Sequence, residues 1–232
     1  MFYSNIYEPL FDDHLFYAQG REKPFIRGLI HLFGAIVVLP ILWIYFFCKC
    51  NVTWNTIYAL GLYTFGCTIC WLVSFAYHYF DYNLLDEIVL QKIDHACIFI
   101  KIFCIWGALF LLTLSHSKQI AAFILYGLGL IVSLIGIFVF NYTTPIVLAF
   151  YVGLVVFFLR DILSEYNFIS AIFWTFVLTL VIKFSVFVLE LDIFYVLHFH
   201  DMFHLMNVFS MILYAYMLFI IINSEKHCKK VE

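Results

Sequence analysis

The chain alternates between long apolar segments and short polar connections. Crossing a hydrocarbon core takes about 20 helical residues, and runs of about that length follow one another along most of the sequence. They lie at 24–47, 54–80, 92–115, 119–139, 143–159, 168–190 and 201–222. Each run is continuously apolar rather than alternating, which favours helices over the strands of a membrane barrel. The pattern predicts an all-α, polytopic membrane protein, a bundle of seven transmembrane helices.

The apolar composition and the short connections between the apolar runs indicate a single membrane domain. Apolar residues make up 66% of the 232 residues and charged residues only 12%, so lipid must solvate most of the surface. The run at 143–159 is short and proline-led, and a six-helix alternative would merge or lose it. We predict an N-terminal segment at 1–23 without the pattern of a cleaved signal peptide, a membrane domain at 24–222 and a C-terminal tail at 223–232.

Membrane lipids are the expected partners, whereas nucleic acid is not. Lysine and arginine residues flank the predicted helices on both sides of the membrane, so charge alone does not orient the chain. Neither the particular membrane nor the oligomeric state follows from the sequence.

Two histidines at the start of the last apolar run stand one helical turn apart. His200 and His204 share one helix face, so both imidazoles can face one cation. Alternation across seven spans puts three helix ends on one side of the membrane: the end of the second helix with Ser74 and His78, the start of the third with Asp94, and the start of the seventh with His200 and His204. Ionisable groups at membrane depth are costly and usually face a partner, a cavity or a functional site.

These residue types are those of a zinc site with an open coordination position. Three neutral histidines and a water form the ligand set of catalytic zinc, which lowers the pKa of the water toward ~7. Asp94 is suited to accept the proton of that water or to orient a histidine, and Ser74 to hydrogen-bond the water or a substrate oxygen. Two other interpretations stay open: Asp94 as a helix cap, and His200 with His204 as interfacial hydrogen-bonding groups.

The remaining polar residues have less specific interpretations. Lys101, two turns beyond Asp94, either compensates charge or forms part of a polar wall along a cavity, and the same applies to Lys183 before Glu190. Asp201 has the position of an ordinary helix-end acid, as does the Asp86–Glu87 pair. Isolated histidines near helix ends are more typical of interfacial hydrogen bonding than of metal ligation; these are His31, His95, His116 and His198.

The order and separation of these motifs resemble a known membrane family. Ser74-Phe-Ala-Tyr-His78, Lys92-Ile-Asp94-His95 and His200-Asp-Met-Phe-His204 resemble the progestin and adipoQ receptor superfamily, in particular its hemolysin III branch. Arg27-Gly-Leu-Ile-His31-Leu-Phe-Gly34 is similar to the first-helix signature of that branch. The resemblance implies a seven-helix bundle with Zn²⁺ bound by His78, His200 and His204, with Ser74 and Asp94 near the bound water. It also implies that the N-terminus and the zinc side are cytoplasmic.

The resemblance leaves three classes of function open. The leading hypothesis is a zinc-dependent hydrolase of a lipid amide or ester, similar to the ceramide hydrolysis associated with the receptor branch. The alternatives are a receptor or membrane-stress sensor with structural zinc, and a cytolysin or pore-forming hemolysin, as the name of the branch suggests. Lys101 and Trp106 stand where small residues are usual in the third helix of the branch, which puts the substrate in doubt more than metal binding.

Overall fold

The computed structural model describes residues 15–16, 22–23, 25–49, 53–139 and 199–224. A short antiparallel pair, β1 Leu15–Phe16 and β2 Glu22–Lys23, precedes the helices. The helices are α1 Phe25–Phe33, α2 Leu39–Lys49, α3 Trp54–Tyr79, α4 Leu84–Thr113, α5 His116–Phe138 and α6 Phe199–Ile222. A π-helical turn, Gly34–Val38, joins α1 and α2 into one rod.

Five helices in the described ranges are long and apolar enough to cross a membrane, the α1–α2 rod counting as one. They are Ile26–Cys48, Trp54–Tyr79, Leu84–Thr113, His116–Phe138 and His204–Ile222. The prediction of a helical, multi-pass membrane domain is confirmed to this extent. The predicted spans at 143–159 and 168–190 lie outside the described residues, so the count of seven stays a prediction.

The centre of the described bundle is the pair α3 and α4. α3 packs against α4 and α1, and α4 packs against α5 and α6. Tyrosine hydroxyls tie α6 to both central helices: Tyr63 donates to the carbonyl of Met211 at 2.8 Å, and Tyr214 donates to the carbonyl of Ile105 at 2.6 Å. α5 lies on the outside and exposes one large apolar face, which suits contact with lipid. Its exposed residues include Ile124, Leu128, Ile131, Val132 and Ile135.

α4 begins at Leu84, eight residues before the predicted start of the third span at residue 92. The side chain of Asn83 caps it by accepting from the Asp86 amide at 3.0 Å, and acidic residues in the first turn suit the positive end of the helix dipole. The polar first turns lower the local hydropathy, so the apolar pattern misses them. Because Asp94 lies more than two turns inside α4, its interpretation as a helix cap is wrong.

Candidate functional site

Three buried histidines from three helices meet at one end of the bundle. His31 of α1, His78 of α3 and His204 of α6 are 2%, 3% and 7% exposed. His31 Nε2 lies 2.6 Å from His204 Nδ1, which is a hydrogen bond. The ring centroids of His78 and His204 are 4.9 Å apart, and those of His31 and His78 are 6.4 Å apart. The three imidazoles therefore form one compact cluster.

The helix positions explain why the cluster forms. His78 lies in the last turn of α3, and His204 lies in the second turn of α6, so one helix ends where the other begins. The structure thus places these two predicted ligands side by side, as the alternation of spans indicates. α1 reaches them because Gly34 has no side chain: a Cβ there would lie 2.9 Å from the indole of Trp71 on α3.

Ser74 and Asp94 form a hydrogen-bonded pair one turn along α3 from His78. Both residues are buried, at 3% and 7% exposure. Since a carboxylate only accepts, the serine hydroxyl donates to Asp94 and joins α3 to α4. The bond orients the carboxylate and leaves lone pairs on the serine oxygen for a further donor. The structure therefore brings together both residues predicted to act on a water.

His200, the remaining predicted ligand, is the second residue of α6. The position of its side chain lies outside the described part of the structure, so its role as a ligand stays a prediction. His31 takes a place in the cluster that the sequence interpretation did not assign to it. It is a hydrogen-bonding histidine, as expected, but it is buried against His204 rather than exposed at the membrane interface.

Asp201 is not an ordinary helix-end acid, and that interpretation is wrong. Its carboxylate accepts from Arg27 Nε at 2.8 Å, and both side chains are almost fully buried. The pair joins the first turn of α1 to the first turn of α6, one turn away from the contact of His31 with His204. The only sequence signal is spacing, because Arg27 precedes His31 by four residues and Asp201 precedes His204 by three.

A further polar contact lies deeper in the bundle. Lys101 of α4 is 5% exposed and donates to Asn207 Oδ1 of α6 at 3.0 Å. Lys101 follows Asp94 by two turns, Asn207 follows His204 by one, and the ammonium is close enough for its charge to act on the Asp94 carboxylate. This arrangement supports charge compensation for Lys101. Lys183 and Glu190 lie outside the described residues.

A family model described as haemolysin-III related matches residues 19–215. The chain belongs to this family. The matched range contains the histidine cluster, the Ser74–Asp94 pair and the ion pair of Arg27, so the whole candidate site is part of the haemolysin-III-related domain. Membership confirms the resemblance to the hemolysin III branch and agrees with a multi-pass membrane protein. No curated protein matches the chain in sequence.

The histidines of this haemolysin-III-related chain can be compared with the geometry of a zinc site. With Zn–N bonds of about 2.1 Å, two nitrogens on one tetrahedral zinc stand roughly 3.4 Å apart and their ring centroids roughly 5 Å apart. The centroid distance of 4.9 Å between His78 and His204 fits this spacing. The nitrogens of His31 and His204, at 2.6 Å, are instead hydrogen-bonded to each other. Within the described residues, no three His, Cys, Asp or Glu side chains are grouped so that they could hold a metal ion.

Proposed function

We propose that this haemolysin-III-related protein is a zinc-dependent intramembrane hydrolase of a lipid amide or ester, similar to ceramide, with the histidine end of the bundle at the cytoplasmic face. The observation that carries the proposal is the position of two buried histidines, His78 and His204, next to the buried Ser74–Asp94 pair. Ligand, acid–base and donor groups thus share one end of a bundle whose outer surface is apolar. Ionisable side chains buried at membrane depth cost free energy, and they usually mark a functional site.

In this proposal His78, His204 and His200 hold the zinc ion, which supplies Lewis acidity and an activated water at neutral pH. Asp94 accepts a proton from the water that attacks the substrate carbonyl. It then gives that proton to the leaving nitrogen or oxygen as the C–N or C–O bond breaks. Ser74 donates to the Asp94 carboxylate and so keeps it in position for both transfers.

The test is zinc content and lipid turnover of the purified protein in lipid nanodiscs, with ceramide and ester lipids as substrates. We expect His204→Ala to lose both zinc and turnover, and Asp94→Asn to keep zinc and lose about 100-fold or more in turnover. His116→Ala is the matched control because His116 is exposed at the start of α5. Wild-type protein that binds no zinc, or a His204→Ala variant that loses zinc and keeps full turnover, would overturn the proposal.

A receptor or stress sensor with structural zinc is the second candidate. It is favoured by the observation that the histidine cluster joins three helices, α1, α3 and α6. In that case zinc stabilises the bundle, so His204→Ala lowers the thermal unfolding midpoint while Asp94→Asn leaves zinc, stability and signalling intact. The activity of Asp94→Asn therefore separates the two candidates.

A cytolysin needs an open path through the bundle or damage to the bilayer. Between α4 and α6 the described interior is filled by aromatic and polar contacts, with Trp106 against Tyr214 at 6.2 Å between ring centroids and Lys101 bonded to Asn207. This packing argues against a wide pore at that interface. Leakage of dye from liposomes that persists in His204→Ala and Asp94→Asn would support this candidate over hydrolysis.

A further inference from the structure

The contact between α1 and α6 consists of two polar bonds one helical turn apart. Arg27 Nε donates to Asp201 at 2.8 Å, and His31 Nε2 lies 2.6 Å from His204 Nδ1. Arg27 and His31 are four residues apart on α1, and their partners are three residues apart on α6, so each helix uses one face. All four side chains are buried.

The ion pair makes this contact specific in register. A shift of one residue along a helix moves a side chain by about 1.5 Å and turns it by roughly 100°, which separates a guanidinium and a carboxylate that meet at 2.8 Å. Arg27 therefore holds α6 at one height and one rotation relative to α1. That same height and rotation aim His204 at His31.

The bond between the two imidazoles couples the tautomer of His204 to that of His31. One nitrogen of the bond must carry the proton and the other must accept it. If His204 Nδ1 carries the proton and donates to His31 Nε2, the opposite nitrogen, Nε2 of His204, is unprotonated and is a metal-ligand atom. Histidines that bind metals almost always donate their other N–H in this way, usually to a carboxylate, a carbonyl or a water.

We propose that His31 is the positioning residue of the metal site: it accepts the Nδ1 proton of His204 and thereby presents His204 Nε2 to the zinc ion, while Arg27 and Asp201 hold the two helices in the register that this bond requires. The inference rests on the proposed zinc site and adds to it a histidine that is not a ligand. At 2.6 Å the two nitrogens are hydrogen-bonded, and they are too close to be neighbouring ligands of one zinc ion.

Two substitutions at residue 31 separate positioning from packing. Glutamine keeps an acceptor oxygen that can take the His204 proton, whereas leucine fills similar space without an acceptor. We expect His31→Leu to weaken zinc binding about 10- to 100-fold in a chelator competition assay, the usual cost of losing such a partner. We expect His31→Gln to recover most of that loss in zinc affinity, even if its thermal unfolding midpoint is equal to or lower than that of His31→Leu.

Cobalt substitution and X-ray absorption report the coordination shell directly. If His31 only positions His204, the visible spectrum of the cobalt-loaded protein keeps its tetrahedral bands in His31→Gln, and absorption at the zinc edge of the wild type fits three histidines. A fit with four histidines, or loss of the tetrahedral bands in His31→Gln, would overturn the inference by making His31 a ligand. The measurement on the wild type decides this even if His31→Leu does not fold.

The outcomes also distinguish this inference from the function on which it rests. Wild-type protein without zinc affinity rejects the metal site itself. Wild-type affinity that is unchanged in a folded His31→Leu variant rejects only the role of His31, whereas zinc binding that depends on residue 31 without lipid turnover supports the positioning role and rejects the hydrolase.

Discussion

The α3–α4 contact and the α1–α6 contact join helices of the same bundle by different means. α3 and α4 follow each other in the chain and approach closely at Gly66, where a Cβ would lie 2.6 Å from Cys104 Cβ and 3.2 Å from the Cα of Lys101. α1 and α6 are joined by two directional bonds between residues more than 170 positions apart. In lipid the hydrophobic effect contributes little to helix association, so small residues such as glycine stabilise it by allowing close van der Waals packing. The directional contact, in contrast, brings His204 to its place.

Removing one charge of the α1–α6 contact should have the largest effect on stability. Arg27→Leu leaves the Asp201 carboxylate buried without its cation, and we expect a loss of about 3–5 kcal/mol in the free energy of unfolding. The measurement is denaturant or thermal unfolding in detergent, in the absence of zinc.

The matched control is the double variant Arg27→Leu with Asp201→Leu, which removes both charges. It should recover most of the loss, because an apolar pair of similar volume needs no ionic partner. Equal instability of the single and double variants would show that the ion pair contributes through packing alone.

The two contacts also differ in how far the sequence predicts them. The hydropathy pattern predicts 54–80 and the structure has Trp54–Tyr79, and it predicts 119–139 where the structure has His116–Phe138. The hydropathy pattern predicts that these helices are present, because a helix that crosses a lipid bilayer needs a continuous apolar sequence. The start of α4 at Leu84 does not, since its polar cap and first turns resemble a loop in a hydropathy profile.

The contacts of the candidate site also differ in how far the sequence predicts them. The common end of His78 and His204 follows from counting spans, because parity alone fixes which helix ends share a side. The pairing of Arg27 with Asp201 and of His31 with His204 depends on the rotation of α1 against α6, which periodicity does not determine. Nor does the pattern predict the π-helical turn Gly34–Val38 that follows His31, where Gly34 lies against the indole of Trp71.

Closing the gap at Gly66 should have the next largest effect. An alanine Cβ there meets another Cβ and the backbone of α4 rather than the end of a flexible side chain, so the helices must move apart. We expect Gly66→Ala to cost about 1–3 kcal/mol in the free energy of unfolding, as overpacking usually does. Gly61→Ala on the same helix is the control because a Cβ at that position would meet nothing within 4 Å. Equal stability of the two variants would contradict close packing at this crossing.

The smallest effect is expected at Tyr63, which combines both kinds of contact. Its ring is buried in the packed core, and its hydroxyl donates to the carbonyl of Met211 across the α3–α6 interface at 2.8 Å. Tyr63→Phe keeps the ring packing and removes the hydroxyl, with its bond to Met211 and its weaker contact with the Cys67 thiol, so we expect a loss of about 1 kcal/mol in the free energy of unfolding. Tyr216→Phe, at a half-exposed position of α6, is the control and should change nothing.

The zinc affinity of Tyr63→Phe then sharpens the comparison. If the Tyr63 bond only adds stability, affinity stays at the wild-type value, because the contacts of α6 with Arg27 and His31 are intact. A fall in zinc affinity as large as that of His31→Leu would mean that any bond to α6 positions His204, and the distinction between α1 and the central helices would fail. An unchanged zinc affinity would mean that α1, and not the central helices, positions His204. The reason is that His31 of α1 is hydrogen-bonded to His204 itself.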